Sequence, residues 1–334
     1  FDEVLVSATR GKESRSQSSR STAVVDETKL AVQQAQSVPE ALKHEANIDT
    51  SNGPRATAQG VTIRGLSGQR VVQTIDGARQ NTSAGHRGTY LLDPQLVERV
   101  EVLKGPASSL WGSGAIGGVV AQRTKSAADL LEDGEQLGGF ARASYADNNQ
   151  QLGTSGALYG RSADAGWLLN ANYSDGDNIE LGNGEELANS ASRTQGGLAK
   201  IDWQLGAAQQ LSFSGRSRTI DERVPSNPAA NVSSSVPLVL RNTEDDNLTL
   251  NHQWSPDDSP WLDAATTFYW NQTRYDEQRI ERGQSDQTEF DTLGFSLVNH
   301  STIASNVLSY GVDGYRDTVK TVRDDEGQQG QRPD

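Results

Sequence analysis

The chain has 334 residues but no cysteine and no methionine, and only 34% of its residues are hydrophobic. Without cysteine it can form no disulfide framework, no thiolate zinc site and no cysteine nucleophile. The longest weakly polar run, residues 115–121, is far shorter than the roughly 20 residues that a membrane-spanning helix needs. These absences exclude a helical membrane protein, but they do not exclude a β-barrel, whose strands each keep one polar face.

Charge divides the chain into two unlike parts. Residues 1–126 carry 12 acidic and 15 basic side chains, a net charge of +3, whereas residues 127–334 carry 32 and 15, a net charge of −17. The acidic part argues against nucleic acid as a partner, because binding to phosphate needs clustered lysine and arginine. The asymmetry predicts two units with different surroundings.

Apolar and polar side chains alternate repeatedly in the second part. A period of two gives a strand one apolar and one polar face, and segments of about ten such residues between turns are typical of transmembrane barrels. A soluble β-sandwich also alternates, but its strands are usually shorter, and its polar faces need not carry charges such as Lys200, Asp202 and Arg216. The pattern favours a transmembrane antiparallel β-barrel. Its clearest segments are 167–174, 199–205, 211–216, 247–251 and 308–313.

Roughly nine such segments lie between Gly138 and Lys320. A closed barrel of about eight to ten strands is filled by its own side chains and has no room for a separate domain. Because the sequence also stops in a polar stretch, residues 324–334, and not on an apolar strand, we expect the N-terminal portion of a larger barrel protein. Aromatic residues near strand ends predict the girdle that barrels place at the membrane surface. They are Trp254, Trp261, Trp270 and Tyr275.

The first part of the chain predicts an α+β domain made of short elements. Helices are predicted at 37–43 and 93–99, because each begins with a capping residue, Ser37 or Asp93, and has a proline in its first turn. Apolar and β-branched runs between turn signals predict strands. These are 61–64, 71–75, 78–80 and 100–103, with a hairpin turn at 76–77.

Gly112, Gly114 and Gly117 match the spacing of a dinucleotide-binding fingerprint. That fingerprint requires a strand immediately before it and a helix immediately after it. Here residues 104–106 intervene after the preceding strand, and Val119 and its neighbour continue as β. We therefore reject a dinucleotide site and interpret the glycines as permitting tight packing of a small domain inside something larger.

Four stretches of the first part occur in order at a recognisable spacing: 61–65 (VTIRG), 74–77 (TIDG), 97–106 (VERVEVLKGP) and 110–120 (LWGSGAIGGVV). Together they resemble the plug domain of TonB-dependent outer-membrane receptors, over residues 1 to about 126. The resemblance implies an α+β plug inside a transmembrane antiparallel barrel of roughly 22 strands, about nine or ten of them in this chain.

The resemblance also implies a role for the start of the chain. Residues 1–10 resemble the family's TonB box, which binds TonB on the periplasmic side. An extended segment can add as a strand to the sheet edge of another protein, although a frayed terminal strand of the plug is the alternative. Residues 11–21 are rich in serine, arginine and glutamine and predict a flexible tether. The residues of the predicted box are Asp2, Glu3, Val4, Leu5, Val6, Ser7 and Ala8.

Four histidines are candidates for binding a metal or cofactor. His44 ends the first predicted helix and is most simply a surface side chain, whereas His252 and His300 lie on barrel-strand segments. His86 lies in a glycine-flanked loop at 81–90, and an exposed neutral imidazole is a suitable axial ligand for haem iron. A lone loop histidine is otherwise simply solvated.

The stretch 85–94 (GHRGTYLLDP) resembles the corresponding region of haem and haemoglobin receptors. This resemblance implies that His86 is the plug-side ligand of the haem iron. The chain lacks the Phe-Arg-Ala-Pro and Asn-Pro-Asn-Leu boxes of those receptors, and we expect these and the barrel-side ligand beyond residue 334.

We predict a TonB box at 1–10, a tether at 11–21, a plug at 22–126 and the first part of a barrel at 127–334. The expected function is uptake of haem, free or delivered by a protein, across the Gram-negative outer membrane, with haem as the transported ligand and no catalytic cofactor. The expected partners are haem or its carrier, TonB and membrane lipid.

Two alternatives stay open. One is a ferric-siderophore receptor, in which His86 is incidental. The other is a soluble β-rich carbohydrate enzyme, which no motif supports, since His-Glu-x-x-His and Gly-x-Ser-x-Gly are absent. The opposite net charges of the two parts also predict that plug arginines, such as Arg64 and Arg99, face carboxylates of the barrel lumen.

Overall fold

The computed structural model describes residues 4–5, 9–11, 13–14, 16, 18–82, 85–281, 283–325 and 328–332. The part before Leu137 consists of short elements. In chain order these are β1 (Val4–Leu5), β2 (Glu13–Ser14), β3 (Ser21–Asp26), α1 (Glu27–Gln33), α2 (Val38–Leu42), β4 (Ile48–Ser51), β5 (Gly60–Ile63), β6 (Leu66–Ser67), β7 (Val71–Ile75), β8 (Ala78–Gln80), β9 (Val97–Lys104), α3 (Ser108–Trp111), β10 (Gly118–Thr124) and α4 (Ala127–Leu130). Short 3-10 helices occupy Ala56–Ala58, Gly68–Arg70 and Pro94–Leu96.

Two sheets hold these elements together in what we call the N-terminal domain. The larger has the strand order β3-β9-β10-β7-β8, in which β10 and β7 are parallel and the other pairs are antiparallel. The smaller has the order β4-β5-β6. Apolar side chains of both sheets and of α2 are fully buried together, among them Leu42, Ile63 and Val102. This domain is therefore built around an ordinary apolar core.

The first predicted helix is confirmed as α2. Ser37 caps it, since its hydroxyl oxygen accepts a hydrogen bond from the Glu40 amide at 3.0 Å. The predicted turn is confirmed as well, because Asp76 and Gly77 both have positive φ, 49° and 84°, as a two-residue hairpin of the primed type requires.

The helix predicted over 93–99 is wrong beyond its first turn. Asp93 does accept a hydrogen bond from the Gln95 amide at 2.9 Å, but the 3-10 helix it caps ends at Leu96. From Val97 onward the chain is strand β9, which pairs with β3 on one side and β10 on the other. Pairing on both edges of a valine-rich segment outweighs the local helix signal.

The rest of the chain forms one antiparallel sheet in which successive long strands are neighbours. A small hairpin lies within one of the connections. None of the helices in the described residues has the length and apolar character that a membrane span requires. The strands of the sheet are β11 (Leu137–Ala146), β12 (Gln151–Arg161), β13 (Ala165–Gly176), β16 (Ser192–Leu205), β17 (Gln209–Pro225), β18 (Leu238–Trp254), β19 (Ala264–Arg279), β20 (Gln284–Ile303), β21 (Asn306–Asp325) and β22 (Gln328–Arg332); β14 (Ile179–Glu180) and β15 (Glu186–Leu187) form the hairpin.

The two faces of this sheet are opposite in character, as the alternation predicts. Large apolar side chains stand exposed on one face, for example Ile201, Phe268 and Leu297. The other face contacts the N-terminal domain, and its buried side chains are largely polar, such as Lys200 and Asn271. Among the described residues, nine strands of this sheet lie between Leu137 and Asp325, which confirms the sequence-based number.

The aromatic girdle is only partly as predicted. Trp254 and Trp261 are exposed where β18 ends, but Trp270 lies in the middle of β19. Tyr275 is 2% exposed and faces the N-terminal domain. It stands an odd number of positions from the outward-facing Phe268 on the same strand, so its side chain must point to the opposite face.

Connections differ between the two ends of the sheet. The two longest, 177–191 and 226–237, lie at one end, which we call the long-loop end. Three of the connections at the other end, 162–164, 206–208 and 304–305, have two or three residues each, and we call this the short-turn end.

Candidate functional site

His86 lies in the segment between β8 and the 3-10 helix at Pro94, which we call the His86 loop (residues 81–93). The described residues of this loop exclude 83 and 84. His86 itself is exposed in a turn, next to Gly85, whose φ of +66° suits glycine. Among the described residues the His86 ring has no hydrogen-bond or ion-pair partner, so both ring nitrogens face open space.

The loop is tied to the sheet on the N-terminal side of His86. The Asn81 amide donates a hydrogen bond to Asp317 on β21 at 3.1 Å. The Thr82 and Thr273 hydroxyls lie 3.1 Å apart, which joins the loop to β19 as well. Two neighbouring residues thus fix the approach to the turn that carries His86.

An ion pair ties the loop on the other side. Arg87 donates through Nε to Glu277 Oε1 at 3.0 Å, and its Nη2 pairs with the second carboxylate oxygen at 2.5 Å. Arg241 on β18 donates to the same Oε1 at 2.7 Å. Burial alone lowers the pKa of Arg87, but hydrogen bonding and attraction to the Glu277 carboxylate outweigh it and raise that pKa. The arginine therefore stays charged and continues to hold the loop as pH changes.

Gly88 has a role that the sequence did not suggest. The sequence indicated only a glycine flanking the loop, but Gly88 is buried, and an added Cβ would overlap the backbone carbonyl of Thr57. Its own carbonyl accepts a hydrogen bond from the Tyr275 hydroxyl at 2.8 Å. Arg218 likewise donates to the Leu91 carbonyl at 2.8 Å. The loop is therefore clamped on both sides of one exposed histidine.

The His86 loop faces the long-loop end. Its main ion-pair partner, Glu277, lies two residues from the end of β19, next to the connection at 280–283. Arg218 lies on β17, which also leads to the long-loop end. A ligand arriving from that side meets His86 without first passing through the N-terminal domain.

The other histidines offer no comparable site. His44 is exposed, as predicted. His252 Nε2 lies 3.0 Å from Gln209 Oε1 and His300 Nδ1 lies 2.8 Å from the Ser309 hydroxyl, both on strands as predicted. No group of three or more histidine, aspartate or glutamate side chains within the described ranges is arranged to hold a metal ion.

The predicted TonB box lies mostly outside the described residues. This applies to Asp2, Glu3, Val6, Ser7 and Ala8. The backbone of Val4–Leu5 is described and pairs antiparallel with Glu13–Ser14, which lies in the predicted tether. An extended strand is therefore present at this position, paired for two residues with its own chain.

The segment after the box docks near the short-turn end. The Arg10 guanidinium lies 4.0 Å from the centre of the Trp111 ring and pairs with Asp313 on β21 at 3.4 Å. An added Cβ on Gly11 would lie 3.0 Å from the His300 ring, so the backbone passes close to β20. Arg10 and Gly11 thus lie nearer the short-turn end than Glu277, which holds the His86 loop through Arg87.

The prediction that Arg64 and Arg99 face carboxylates of the barrel is not confirmed by the described residues. Arg64 is exposed and has no carboxylate partner among the described residues. Arg99 pairs at 3.5 Å with Glu98 and Glu101, both in its own domain. Net charge does not say which residue of a strand faces the sheet, so it could not identify the pairs.

The ion pairs that do cross between the domain and the sheet run in both directions. Arg10 and Arg87 meet carboxylates of the sheet. Two cations of the sheet also meet carboxylates of the domain: Lys200 lies 3.6 Å from Asp76, and Arg218 lies 4.0 Å from Asp93. Asp76 and Asp93 were noticed in the sequence only as a turn residue and a helix cap, and both prove also to anchor the domain.

Comparison with known proteins agrees with this arrangement. The family model of the TonB-dependent receptor plug domain matches residues 14–119. Heme/hemopexin utilization protein C of Haemophilus influenzae strain 86-028NP is 34% identical over 334 aligned positions, covering 88% of this chain and 47% of that protein. The hemin receptor of Yersinia pestis is 30% identical, covering 94% of this chain and 47% of that protein. The chain spans about half the length of the curated relatives it matches.

Among solved structures, a double mutant of the Serratia marcescens hemophore receptor HasR, in complex with its hemophore HasA and heme, is similar with a TM-score of 0.80. Its sequence is 26% identical, and the match covers 93% of this chain and 46% of that one. The same two units occur here in the same order: a small α+β domain with an apolar core, and a sheet whose polar face receives it. The chain therefore belongs to the TonB-dependent receptors, of which it carries the plug domain and part of the β-barrel.

Proposed function

We propose that the protein to which this chain belongs binds haem at the outer surface of the Gram-negative outer membrane and imports it with energy supplied through TonB. The observation that carries this proposal is His86, an exposed side chain with no partner among the described residues, on a loop clamped on both sides and open toward the long-loop end. Longer connections face the outside in barrels of this kind, so the long-loop end is extracellular. The names of the relatives, which refer to heme and hemin, favour the same cargo.

In this proposal His86 supplies one axial ligand to the haem iron. Iron binds the unprotonated ring nitrogen, so acid weakens ligation. The Arg87–Glu277 ion pair and the Tyr275 hydrogen bond to Gly88 hold the loop backbone in place while the ring stays accessible. The chain's residues bind and orient the cargo, and the proposal includes no bond-breaking step.

We further propose that residues 2–8 act as the TonB box on the periplasmic side, the end at which Arg10 and Gly11 lie. The division into box, tether, plug and barrel at 1–10, 11–21, 22–126 and 127–334 is part of this proposal. Because Val4–Leu5 already pairs with Glu13–Ser14, TonB has to replace a short internal pairing when it adds its own strand.

Titration of haem into the full-length receptor in detergent tests the cargo. A haem receptor gives a sharpened and shifted Soret band as the iron gains its axial ligands. A siderophore receptor leaves the haem spectrum unchanged and instead gains affinity for a ferric chelate. The second result would replace the proposed cargo while leaving the family assignment intact.

Proline substitution tests the TonB box. Val4→Pro removes a backbone donor and fixes φ, so it weakens strand pairing with TonB. Growth on haem as sole iron source is expected to fail while haem binding in detergent persists. The control is Val32→Ala, at an exposed helix position. Normal growth of the Val4→Pro strain would contradict the assignment.

A further inference from the structure

One buried plug arginine reaches into two outer connections at once. Arg55 is 7% exposed. Its Nε donates to the Asn189 carbonyl at 3.2 Å, Nη2 donates to the Ala188 carbonyl at 3.1 Å and Nη1 donates to the Pro228 carbonyl at 2.6 Å. The first two acceptors belong to the connection 177–191 and the third to 226–237.

The geometry suits arginine alone. A guanidinium presents donors in a planar fork, so one side chain can serve several carbonyls held at fixed angles. The bond to the Pro228 carbonyl is buried, so losing the donor leaves that carbonyl unsatisfied, whereas the bonds to the Asn189 and Ala188 carbonyls are only partly buried. Connection 177–191 also has its own hairpin, β14 paired with β15, so Arg55 fixes the place of a preformed unit at its base.

Arg55 is also adjacent to the His86 loop. It directly precedes the 3-10 helix Ala56–Ala58. Within that helix the Thr57 carbonyl packs against Gly88 so closely that glycine is required there. A shift of Gly88 therefore presses on the segment that carries Arg55.

A second link reaches only one of the two connections. The Thr57 hydroxyl donates to Glu222, and Arg241 lies 4.0 Å from that carboxylate. Arg241 also donates to the Ser226 carbonyl at 3.0 Å and to Glu277 at 2.7 Å. Connection 226–237 is thus held by both Arg55 and Arg241, whereas 177–191 is held by Arg55 and, at its start, by the hydrogen bond from the Asp177 amide to the Asn149 carbonyl at 2.8 Å.

We propose that Arg55 is a positioning residue that pins the outer connections 177–191 and 226–237 to the plug, so that their position follows that of the plug segment packed on the His86 loop. The pin is independent of which cargo the receptor carries. When the segment 55–57 moves, both connections lose the hydrogen bonds of Arg55 together, so the position of the connections reports the position of the plug.

Spin labels on the cargo-free, full-length receptor in lipid nanodiscs test the pin. Gly182→Cys and Ser234→Cys place one label on each connection: an added Cβ at Gly182 meets no neighbour, and Ser234 is exposed. The chain has no native cysteine to compete for label. The distance distribution between the labels is then compared in Arg55→Met, Arg55→Lys, Glu277→Gln and Arg70→Met backgrounds.

Arg55→Met is expected to abolish the narrow distance peak and to increase label mobility at both sites. Arg55→Lys, which keeps the charge but not the fork, is expected to restore the peak only in part. Glu277→Gln is expected to raise mobility more at 234, which it reaches through Arg241, than at 182, which it reaches only through Arg87 and the His86 loop. Arg70→Met, at an exposed plug arginine that bonds only within its own domain, is the matched control.

An unchanged distance peak in Arg55→Met would overturn the proposal. So would equal loosening by Arg70→Met, since that result would reflect general damage to the plug. Normal heat-modifiable migration of the barrel on gels shows that each variant has folded. Since no haem is added, a failure here leaves the proposed cargo untouched, and a failure of the haem titration leaves this test intact.

Discussion

The plug and the barrel sheet are both built from strands, but the plug buries its apolar side chains and the sheet exposes them. In the plug, Ile63 and Val102 are fully buried against other apolar side chains. In the sheet, Phe268 is 54% exposed on the outer face while Thr249 is 1% exposed on the inner one. The plug keeps its apolar groups inside, as water-soluble domains do, whereas the sheet places them on its outer face, away from the plug.

This contrast shows why composition misleads for such a chain. A low apolar fraction suggested either disorder or strands with one wet face, and the second applies: the sheet needs half of its side chains polar to receive the plug. Adhesion between the two units rests on hydrogen bonds and ion pairs, such as Arg87–Glu277 and Lys200–Asp76. Buried pairs of this type mainly fix geometry, and removing one partner leaves a costly unpaired charge.

The largest effect is expected from truncation in the plug core. Leu42 on α2 is fully buried, and Leu→Ala at such positions costs about 2–5 kcal/mol. Leu42→Ala is therefore expected to destabilise the plug while the barrel stays folded. Hydrogen exchange of β9 and β10 in the full-length receptor measures this, and unchanged protection of those strands would contradict the assigned core.

A charge on the outer face of the sheet is expected to have a somewhat smaller effect. Leu297 on β20 stands 40% exposed, two positions before Asn299, which lies level with Trp254. An arginine facing lipid costs about 0–1 kcal/mol near the membrane surface, rising to about 2–4 kcal/mol at the bilayer centre. Leu297→Arg should reduce barrel stability by an amount within this range in denaturant titrations in lipid. Val32→Arg, on an 80% exposed position of α1, is the control and should be nearly neutral.

The smallest effect is expected from truncation of a leucine on the outer face of the sheet, and it tests the difference between plug and barrel most closely. Leu297→Ala makes the same change as Leu42→Ala, but lipid tails are as apolar as the leucine they replace. We expect a change within about 0.5 kcal/mol, as for ordinary surface positions. A loss comparable to that of Leu42→Ala in the same denaturant titration would mean that Leu297 packs against protein and not lipid.

The sequence was informative wherever a local pattern decides the structure. Alternation located the strands, and the caps and turn at Ser37 and Asp76 were identified correctly because their geometry depends on neighbouring residues. The helix predicted after Asp93 failed because strand β9 is fixed by its partners on both sides. Tyr275 was assigned to the membrane surface because its register relative to Phe268 was not considered.

Of the candidate site, the sequence indicated only the exposed histidine. His86 was found because its residue type and glycine neighbours are local signals. Arg55, Glu277 and Arg241 carry no local signal, since each acts across more than 30 residues of sequence separation. Arginine and glutamate on strands are common, and only the fold shows which of them meet the plug.

The most direct test of the account is the absorption spectrum of haem bound to the full-length receptor with His86→Ala. We predict a shifted Soret band, because one axial ligand is lost, and a lower affinity with residual binding through the remaining contacts to the porphyrin. His44→Ala, on an exposed histidine elsewhere in the plug, should leave the spectrum and the affinity as in the wild type. If His86→Ala leaves both the spectrum and the haem affinity unaltered, His86 is a solvated loop residue and the proposed haem site is wrong.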